Sequence, residues 1–180
     1  MAETLERVYA SAIFELSCEN DCLTELFDEM AQVNEILAQN EKFLTLLSSP
    51  LVSDGDKHNV LNTTFKHRVS DLLFDFLCVV TDKRRIAAFS GIFTEFRNMY
   101  NKHMNILEVR VTTAEPMSEH IRKKLIDKLT DVSGSTVILD ERVDKALLGG
   151  IIIRYDNTEI DSSVRSKLDK IKKQIDSTIA

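Results

Sequence analysis

The sequence predicts an α+β protein that is mostly helical, with an N-terminal six-helix bundle followed by a small C-terminal α/β domain. Only 5 Gly and 2 Pro occur among 180 residues, too few for the many tight turns of a β-sandwich. Apolar residues recur at helical spacing as far as residue 104 and alternate with polar residues at 107–112, so the first strand follows a run of helices. We place the boundary near Asn105, which predicts domains of residues 1–105 and 106–180.

The first three helices are predicted from apolar stripes and the breaks between them. One stripe runs through residues 5–16, and a second begins at Leu23 after a polar break and continues to Leu37. Both follow the three- and four-residue steps that align side chains on one helical face. A short third segment ends before Pro50, because proline lacks an amide donor and restricts the residue before it.

The next three helices begin at recognisable caps. Ser53 and Ser70 are each placed to accept a hydrogen bond from the free amides of a helical first turn. Residues 72–80 are apolar on nearly every side, so this fifth helix is either fully surrounded or lends one face to a partner. A long sixth helix is predicted from Arg85 to residue 104.

The remaining residues predict a small mixed unit. Residues 107–112 alternate like a strand, and Ser118 is expected to cap a helix that ends at Gly134. Residues 137–139 predict a second strand, and residues 151–160 predict a hairpin around the turn pair Asp156 and Asn157. The helix after Ser118 is expected to turn four apolar side chains inward: Ile121, Leu125, Leu129 and Val132.

A closing helix is predicted after the hairpin. Asp161 or Ser162 is the expected cap. Its apolar positions are Val164, Leu168, Ile171, Ile175 and Ile179.

Composition and charge exclude several classes of function. The formal net charge of −6 disfavours a sequence-independent grip on nucleic acid or anionic lipid. No apolar run approaches the roughly 18 residues of a membrane-spanning helix, so direct membrane insertion is not expected. Nothing at the N-terminus resembles a signal peptide. The three cysteines are an odd number, and no disulfide framework is expected.

The search for a catalytic or metal site finds no candidate. Cys18 and Cys22 lack the second ligand pair of a structural zinc site, and Cys78 lies in the most apolar helix, where a thiolate would be desolvated. The histidines show neither the spacing of a zinc helix nor a paired nucleophile. We therefore expect no catalytic residue, no cofactor and no metal. The histidines in question are His58, His67, His103 and His120.

Two further motifs are interpreted structurally. Gly149 and Gly150 precede a strand, whereas a phosphate-binding loop follows a strand and opens a helix. They are expected to allow a close backbone approach or a backbone angle that a side chain forbids. The basic clusters 83–85 and 122–124 lie near acidic residues and are expected to be solvated helix ends.

One C-terminal signature resembles a known family. The run Val-Asp-Lys-Ala-Leu-Leu-Gly-Gly-Ile-Ile-Ile-Arg at 143–154, followed by Ile-Asp-Ser-Ser-Val at 160–164, is similar to the signature of the delta subunits of F-type ATP synthases, which include the oligomycin sensitivity-conferring protein. The Tyr-Ala-Ser-Ala-Ile at 9–13 and the Leu-Ser-Ser-Pro at 47–50 resemble weaker family motifs. Asp82 stands where the family usually has Asn. The signature positions are Asp144, Gly149, Gly150, Arg154, Ile160, Asp161, Ser163 and Val164.

The resemblance implies a stator protein and not an enzyme. In that family the N-terminal domain sits on the catalytic head and holds an N-terminal helix of an alpha subunit, while the C-terminal domain joins the b subunits of the peripheral stalk and rotor torque is resisted. It further implies one copy per complex. The expected location is peripheral, on the cytoplasmic face of a bacterial inner membrane, with a plastid thylakoid as the less favoured setting.

A partner helix would bind between the first and fifth helices, where apolar area without catalytic groups suits helix-in-groove recognition. An unrelated helical adaptor with an α/β tail is the alternative function, and it would lack the C-terminal signature. The expected groove residues are Tyr9, Ala12, Ile13, Leu73, Phe76, Leu77 and Val80.

Overall fold

A computed structural model describes residues 4–155 and 158–168 of the chain. They form two compact units, Met1–Tyr100 and Asn101–Ala180. The described part is mostly helical and carries a four-stranded mixed sheet in the C-terminal unit. This agrees with the predicted α+β class.

Six α-helices precede the first strand, at positions close to those that the apolar stripes predict. They are α1 (Leu5–Glu19), α2 (Leu23–Gln39), α3 (Glu41–Ser48), α4 (Asp54–Phe65), α5 (Asp71–Asp82) and α6 (Phe89–His103). The prediction that the sixth helix begins at Arg85 was wrong. Arg84 adopts φ 56° after the end of α5, and a 3-10 turn, Ile86–Ala88, intervenes before α6.

The predicted helix caps are confirmed in the N-terminal unit. The Ser53 hydroxyl accepts a hydrogen bond from the Asp56 amide at 3.2 Å, and the Ser70 hydroxyl accepts one from the Leu73 amide at 3.4 Å. Each bond satisfies an amide that has no partner within the helix. The caps therefore set where α4 and α5 begin.

The core of the N-terminal unit is built from the inward rows of its helices. Along α2 the buried row follows alternating steps of four and three residues, which keep one face on the core. Phe96 of α6 is 0% exposed and its ring lies edge-on to Phe14 of α1, with centroids 6.0 Å apart. Full burial of one such side chain stabilises the fold by about 1.5–3 kcal/mol. The α2 row consists of Leu26, Met30, Val33 and Leu37.

The C-terminal unit is a sheet with strand order β2-β1-β3-β4. The strands are β1 (Ile106–Thr113), β2 (Thr136–Val143), β3 (Ile151–Tyr155) and β4 (Thr158–Asp161). β1 pairs in parallel with β2, which needs a crossover connection, and α7 (Glu119–Ser133) supplies it. β3 pairs antiparallel with both β1 and β4, which confirms the predicted hairpin, although its turn pair 156–157 lies outside the described residues.

α7 covers one face of the sheet. Its Leu125, Ile126 and Leu129 pack against a buried centre formed by valines of β1 and β2, Val109, Val111 and Val137. Ile121 and Val132 were predicted to face inward, and this was wrong, because they are 54% and 88% exposed. Ile121 lies in the first turn of α7 and Val132 lies in the last turn, before and after the residues that pack on the sheet.

The ends of α7 follow the predicted chemistry. The Ser118 hydroxyl accepts a hydrogen bond from the Ile121 amide at 3.5 Å. Gly134 at the opposite end adopts φ 66°, the left-handed terminator for which glycine is favoured.

Among the described helices, none is both long enough and apolar enough to cross a bilayer.

The closing helix begins at residue 164 and is described as far as 168. Its cap is Ser163, whereas Asp161 or Ser162 was predicted. The Ser163 hydroxyl accepts a hydrogen bond from the Ser166 amide at 3.2 Å, while the Asp161 carboxylate accepts from the Ser163 amide at 2.8 Å. Asp161 therefore shapes the turn before the cap, and the predicted positions Ile171, Ile175 and Ile179 lie outside the described residues.

Candidate partner-binding surfaces

The residues predicted to form a groove divide into two sets. Tyr9 of α1 and Phe76 of α5 are half-buried and make an edge-to-face contact, with ring centroids 6.4 Å apart and an interplanar angle of 71°. Ala12 is exposed beside them. The structure therefore brings α1 and α5 together at the predicted place. The other four side chains, at most 1% exposed, lie in the core: Ile13, Leu73, Leu77 and Val80.

Two exposed apolar side chains stand close to Tyr9 and Phe76 along their helices. Val8, next to Tyr9, is 50% exposed, and Val79, one turn beyond Phe76, is 49% exposed. These side chains with Ala12 form what we call the α1–α5 surface: Val8, Tyr9, Ala12, Phe76 and Val79. Neither valine was identified from the sequence, although both stand one helical step from a predicted residue.

A carboxylate on α2 fixes the start of α5. Both oxygens of Glu29 accept from the Ser70 amide at 3.0 Å, and one also accepts from the Ser70 hydroxyl at 2.6 Å. An acidic group is stabilising at this end of a helix because the free amides carry partial positive charge. The sequence search missed Glu29, since no local motif links it to Ser70.

The thiols of Cys22 and Cys78 have raised pKa values. Burial raises the pKa of the Cys78 thiol, and the nearby Asp82 and Asp75 carboxylates raise it further. Burial likewise raises the pKa of Cys22, with Glu25 as the next cause. A thiol with a raised pKa carries little thiolate, which is the nucleophilic and metal-binding form. Within the described ranges no three metal-type side chains cluster.

Two of the other candidate groups, His58 and Arg122, bond to carboxylates. His58 of α4 and Asp82 at the end of α5 are joined by a hydrogen bond between Nε2 and Oδ1 at 2.6 Å. Arg122, from the second basic cluster, bonds to Glu141 and Glu119, and these bonds raise the pKa of its guanidinium. Arg122 is therefore held by carboxylates and not solvated as predicted, whereas its neighbours Lys123 and Lys124 are exposed.

The two halves of the C-terminal signature meet in space. The Val164 amide donates to the Gly149 carbonyl at 3.0 Å, and the Ser162 amide donates to the Ile151 carbonyl at 2.9 Å. Gly150 adopts φ 87°, and a Cβ there would lie 2.6 Å from the Ser162 carbonyl oxygen. Both expected reasons for the glycine pair, a special backbone angle and a close approach, are confirmed.

The other signature side chains stand around this junction. The Asp144 carboxylate accepts from the Ala146 amide at 2.9 Å and caps the 3-10 turn Lys145–Leu147. Arg154 of β3 pairs with Glu159 of β4, and this hydrogen bond raises the pKa of the guanidinium. Ser163 is 2% exposed, whereas Ile160 and Val164 are 45% and 41% exposed. The signature residues thus connect the segment before β3 with the closing helix, and two of their apolar side chains remain partly exposed to solvent.

Comparison with known proteins covers both units. The model of the ATP synthase delta (OSCP) subunit family matches residues 5–175. The ATP synthase subunit delta of Clostridioides difficile (strain 630) is 34% identical over 181 residues, which is 100% of each chain. The ATP synthase subunit delta of Alkaliphilus metalliredigens (strain QYMF) is 31% identical over 175 residues, which is 97% of each chain.

Solved structures agree in fold. A chain of the Toxoplasma gondii mitochondrial ATP synthase hexamer superposes with a TM-score of 0.77 at 21% identity, covering 96% of this chain and 98% of that one. The sequence relatives exclude an unrelated helical adaptor with an α/β tail. The match along nearly the whole chain shows that it belongs to the family of ATP synthase delta (OSCP) subunits, non-catalytic components of the F-type ATP synthase.

Proposed function

We propose that this chain links the catalytic head of the ATP synthase to the peripheral stalk and resists rotor torque during proton-driven ATP synthesis. In this proposal residues 1–105 hold the N-terminal helix of an alpha subunit, and residues 106–180 join the b subunits. One copy serves each complex. The similarity to bacterial subunits supports a location at the cytoplasmic face of a bacterial inner membrane.

The α1–α5 surface is the observation that carries this proposal. Val8 and Ala12 stand four residues apart on α1, and Phe76 and Val79 stand three apart on α5, so each pair forms a ridge on one helical face. Val8 and Val79 remain about half exposed. An amphipathic helix recognises a surface of this kind by laying its own apolar row along it.

Such a site suits a subunit that transmits force and performs no chemistry. Burial of apolar surface supplies affinity without a titratable or nucleophilic group. The hydrogen bonds from Ser70 to Glu29 connect α5 to α2, and the hydrogen bond between His58 and Asp82 connects α5 to α4. The helix that carries half of the surface is therefore anchored near each end.

The proposal is tested by calorimetry with the full chain and a peptide of the alpha-subunit N-terminus. Val79→Asp would bury an unpaired carboxylate in the complex, and we expect the dissociation constant to rise at least about tenfold. Leu51→Asp is the matched control, because Leu51 is a 93% exposed side chain between α3 and α4. It should bind like the wild type.

The two substitutions change exposed positions, so both variants are expected to fold, and circular dichroism checks this. If a folded Val79→Asp variant bound the peptide with unchanged affinity, the alpha-subunit helix would not bind at the α1–α5 surface. Binding of a soluble b-subunit fragment, measured on the same two variants, should not change, because that partner is assigned to residues 106–180.

A further inference from the structure

The α1–α5 surface lies between two helices that run in opposite directions. The start of α1 meets the start of α6, because a Cβ on Gly91 would lie 2.8 Å from Cγ of the half-buried Glu6. Further along both helices, the rings of Phe14 and Phe96 have centroids 6.0 Å apart. α1 and α6 therefore run in the same direction and begin at the same end of the N-terminal unit.

α5 finishes at the end of this unit where α1 and α6 begin. Only residues 83–88 separate α5 from α6, so the connection between them is short. The other end of α5 is held by α2, whose Glu29 accepts from the Ser70 hydroxyl at 2.6 Å. Glu29 belongs to the first half of α2, which follows α1 after a tight turn. α5 therefore runs from the later part of α1 toward its beginning.

The end of the surface where α5 finishes is basic. Residues 83–85 are Lys-Arg-Arg, and all three side chains are exposed. Lys83 follows Val79 by four residues, so it extends the α5 side of the surface by one turn. The neighbouring acid, Asp82, is bonded to His58 between Nε2 and Oδ1 at 2.6 Å. Cations therefore outnumber acids at this end.

The opposite end of the surface is acidic. Glu15 and Glu19 of α1 are exposed. They follow Ala12 by three and seven residues, so the three side chains lie on the same face of the helix. Asp71, in the first turn of α5, is also exposed. The two ends of the α1–α5 surface thus carry opposite charge.

The charges at both ends are available to a partner. Within the described ranges, none of the three cations and three acids forms an ion pair. The exposed cations that precede α5, Lys66 and Arg68, pair with none of the acids either. Charges at the rim of an interface select between binding orientations, because complementary pairs attract and like pairs repel.

We infer that the charge polarity of the α1–α5 surface sets the direction of the helix that binds there. The acidic end of an amphipathic partner helix lies at residues 83–85, and its basic end lies at Glu15 and Glu19. The inference deepens the proposed function and rests on it for one point, that this helix belongs to the alpha subunit. The partner's chemistry follows from the surface itself, with an apolar row between an acidic end and a basic end.

The inference is tested with the full chain and designed amphipathic peptides of about 18 residues, long enough to span the surface as a helix. One peptide carries acidic residues in one half and basic residues in the other. A second peptide has the same composition and the same apolar row, with the two charges alternating along its length. At low ionic strength, fluorescence anisotropy should show the first peptide binding at least about fivefold more tightly. The difference should shrink as salt is added, because exposed charges are screened.

A nitroxide label on the acidic end of the first peptide reports the direction of binding. Nuclear magnetic resonance spectra of the complex should show the strongest broadening of amide signals at residues 83–85 and much weaker broadening at Glu15 and Glu19. A peptide with its two charged halves exchanged should bind in the reverse direction, so that its acidic end still lies at residues 83–85.

Charge reversal on the chain supplies the matched comparison. The variant E15K/E19K/K83E/R85E keeps the net charge and should invert the direction, which moves the broadening by the acidic end to residues 15–19. The control E35K/E41K/K123E/K124E exchanges the same number of charges at exposed positions outside the surface, and it should keep the wild-type direction. Circular dichroism checks that both fold. If the first variant is unfolded, K83E/R85E replaces it and should abolish the preference for one direction.

Four results would each overturn the inference: equal broadening at both ends of the surface, absence of peptide binding, a direction that the charge reversal leaves unchanged, and an inversion by the control. A peptide of the alpha-subunit N-terminus separates the inference from the proposed function. If this peptide binds the wild type and the charge-reversed variant equally, the charge polarity is overturned while the stator proposal stands. If the designed peptides behave as expected but the alpha peptide does not bind the wild type, the polarity stands and the alpha subunit is not the partner.

Discussion

The two units of the chain are stabilised in different ways. In the N-terminal unit every α-helix contributes at least one buried side chain, and Met30, Leu73 and Phe96 are fully buried. In the C-terminal unit α7 has no buried residue. The centre of that unit's core consists of Val109, Val111 and Val137, with partly buried neighbours around it.

Because their cores differ, the two units should be destabilised most by different kinds of substitution. A helical core loses free energy when a buried side chain is truncated, because a cavity remains. The sheet unit has fewer buried side chains, and the segment before β3 is joined to the closing helix by a backbone junction in which the Gly149 carbonyl accepts from the Val164 amide. We expect the N-terminal unit to respond most to cavities and the C-terminal unit to respond most to backbone changes.

Gly150→Val should have the largest effect and should be confined to the C-terminal unit. The new Cβ would lie 2.6 Å from the Ser162 carbonyl oxygen at φ 87°, and strain of this kind costs about 3 kcal/mol or more. Hydrogen exchange should show lost protection in β3 and β4 and retained protection in α2 and α5. Loss of protection in both units would contradict the expectation that the effect is confined to the C-terminal unit.

The matched control is Gly134→Ala, because Gly134 also has a positive φ of 66° but no atom within 4 Å of the added Cβ. It should cost only about 1 kcal/mol.

In membranes, Gly150→Val should lower proton-driven ATP synthesis while the detached catalytic head keeps its ATP hydrolysis. Unchanged synthesis with an unfolded C-terminal unit would show that this unit carries no stator load.

A pair of leucine truncations should have a smaller effect and tests whether the two units respond differently to a cavity. Leu77 is 0% exposed in α5, and Leu77→Ala should destabilise its unit by about 3 kcal/mol. Leu125→Ala, at a partly buried position of α7, should cost less, about 1–2 kcal/mol, since less contact is lost. Protection of slowly exchanging amides in each unit measures both costs, and equal costs would contradict the proposed difference.

The smallest expected effect is a pH dependence in the C-terminal unit. The hydrogen bond from Arg110 lowers the pKa of Asp140 below its ordinary 3.8, and Arg142 lowers it further while burial opposes them. Because the folded-state pKa is depressed, this stabilisation is present above pH 3.8 and is lost as the pH falls through the folded value. The pair is exposed and screened, so we expect less than about 1 kcal/mol.

The variant Asp140→Asn removes this titration. On acidification from above pH 3.8, the amides of β1 and β2 should lose more protection in the wild type than in the variant. An identical acid response of the two proteins would show that the ion pair does not contribute to the stability of the sheet.

Local rules predicted most of the fold. Ser53, Ser70 and Ser118 cap helices as expected, because a hydroxyl at an N-cap acts within one turn of the chain. Gly134 ends α7 in the left-handed conformation for an equally local reason. The cap of the closing helix was predicted at Asp161 or Ser162 and is Ser163. Asp and Ser are comparably good N-caps, so local preference does not choose among these adjacent residues.

The candidate binding surface was predicted only in part. The contact of Tyr9 with Phe76 places α1 beside α5, as the groove hypothesis required. Apolar residues at helical spacing serve a protein's own core and a partner equally well, so the pattern did not separate buried Leu73 and Leu77 from exposed Val79. Glu29 had no sequence signal at all, because its partner Ser70 is distant in the chain.

The sequence alone predicted the class of fold and the order of its elements. It could do so because hydrophobic period, capping and glycine conformation are properties of short segments. Which side chains are left in solvent was decided by tertiary packing, as Ile121 and Val132 show. Burial depends on which faces of distant segments meet, and no local rule specifies that.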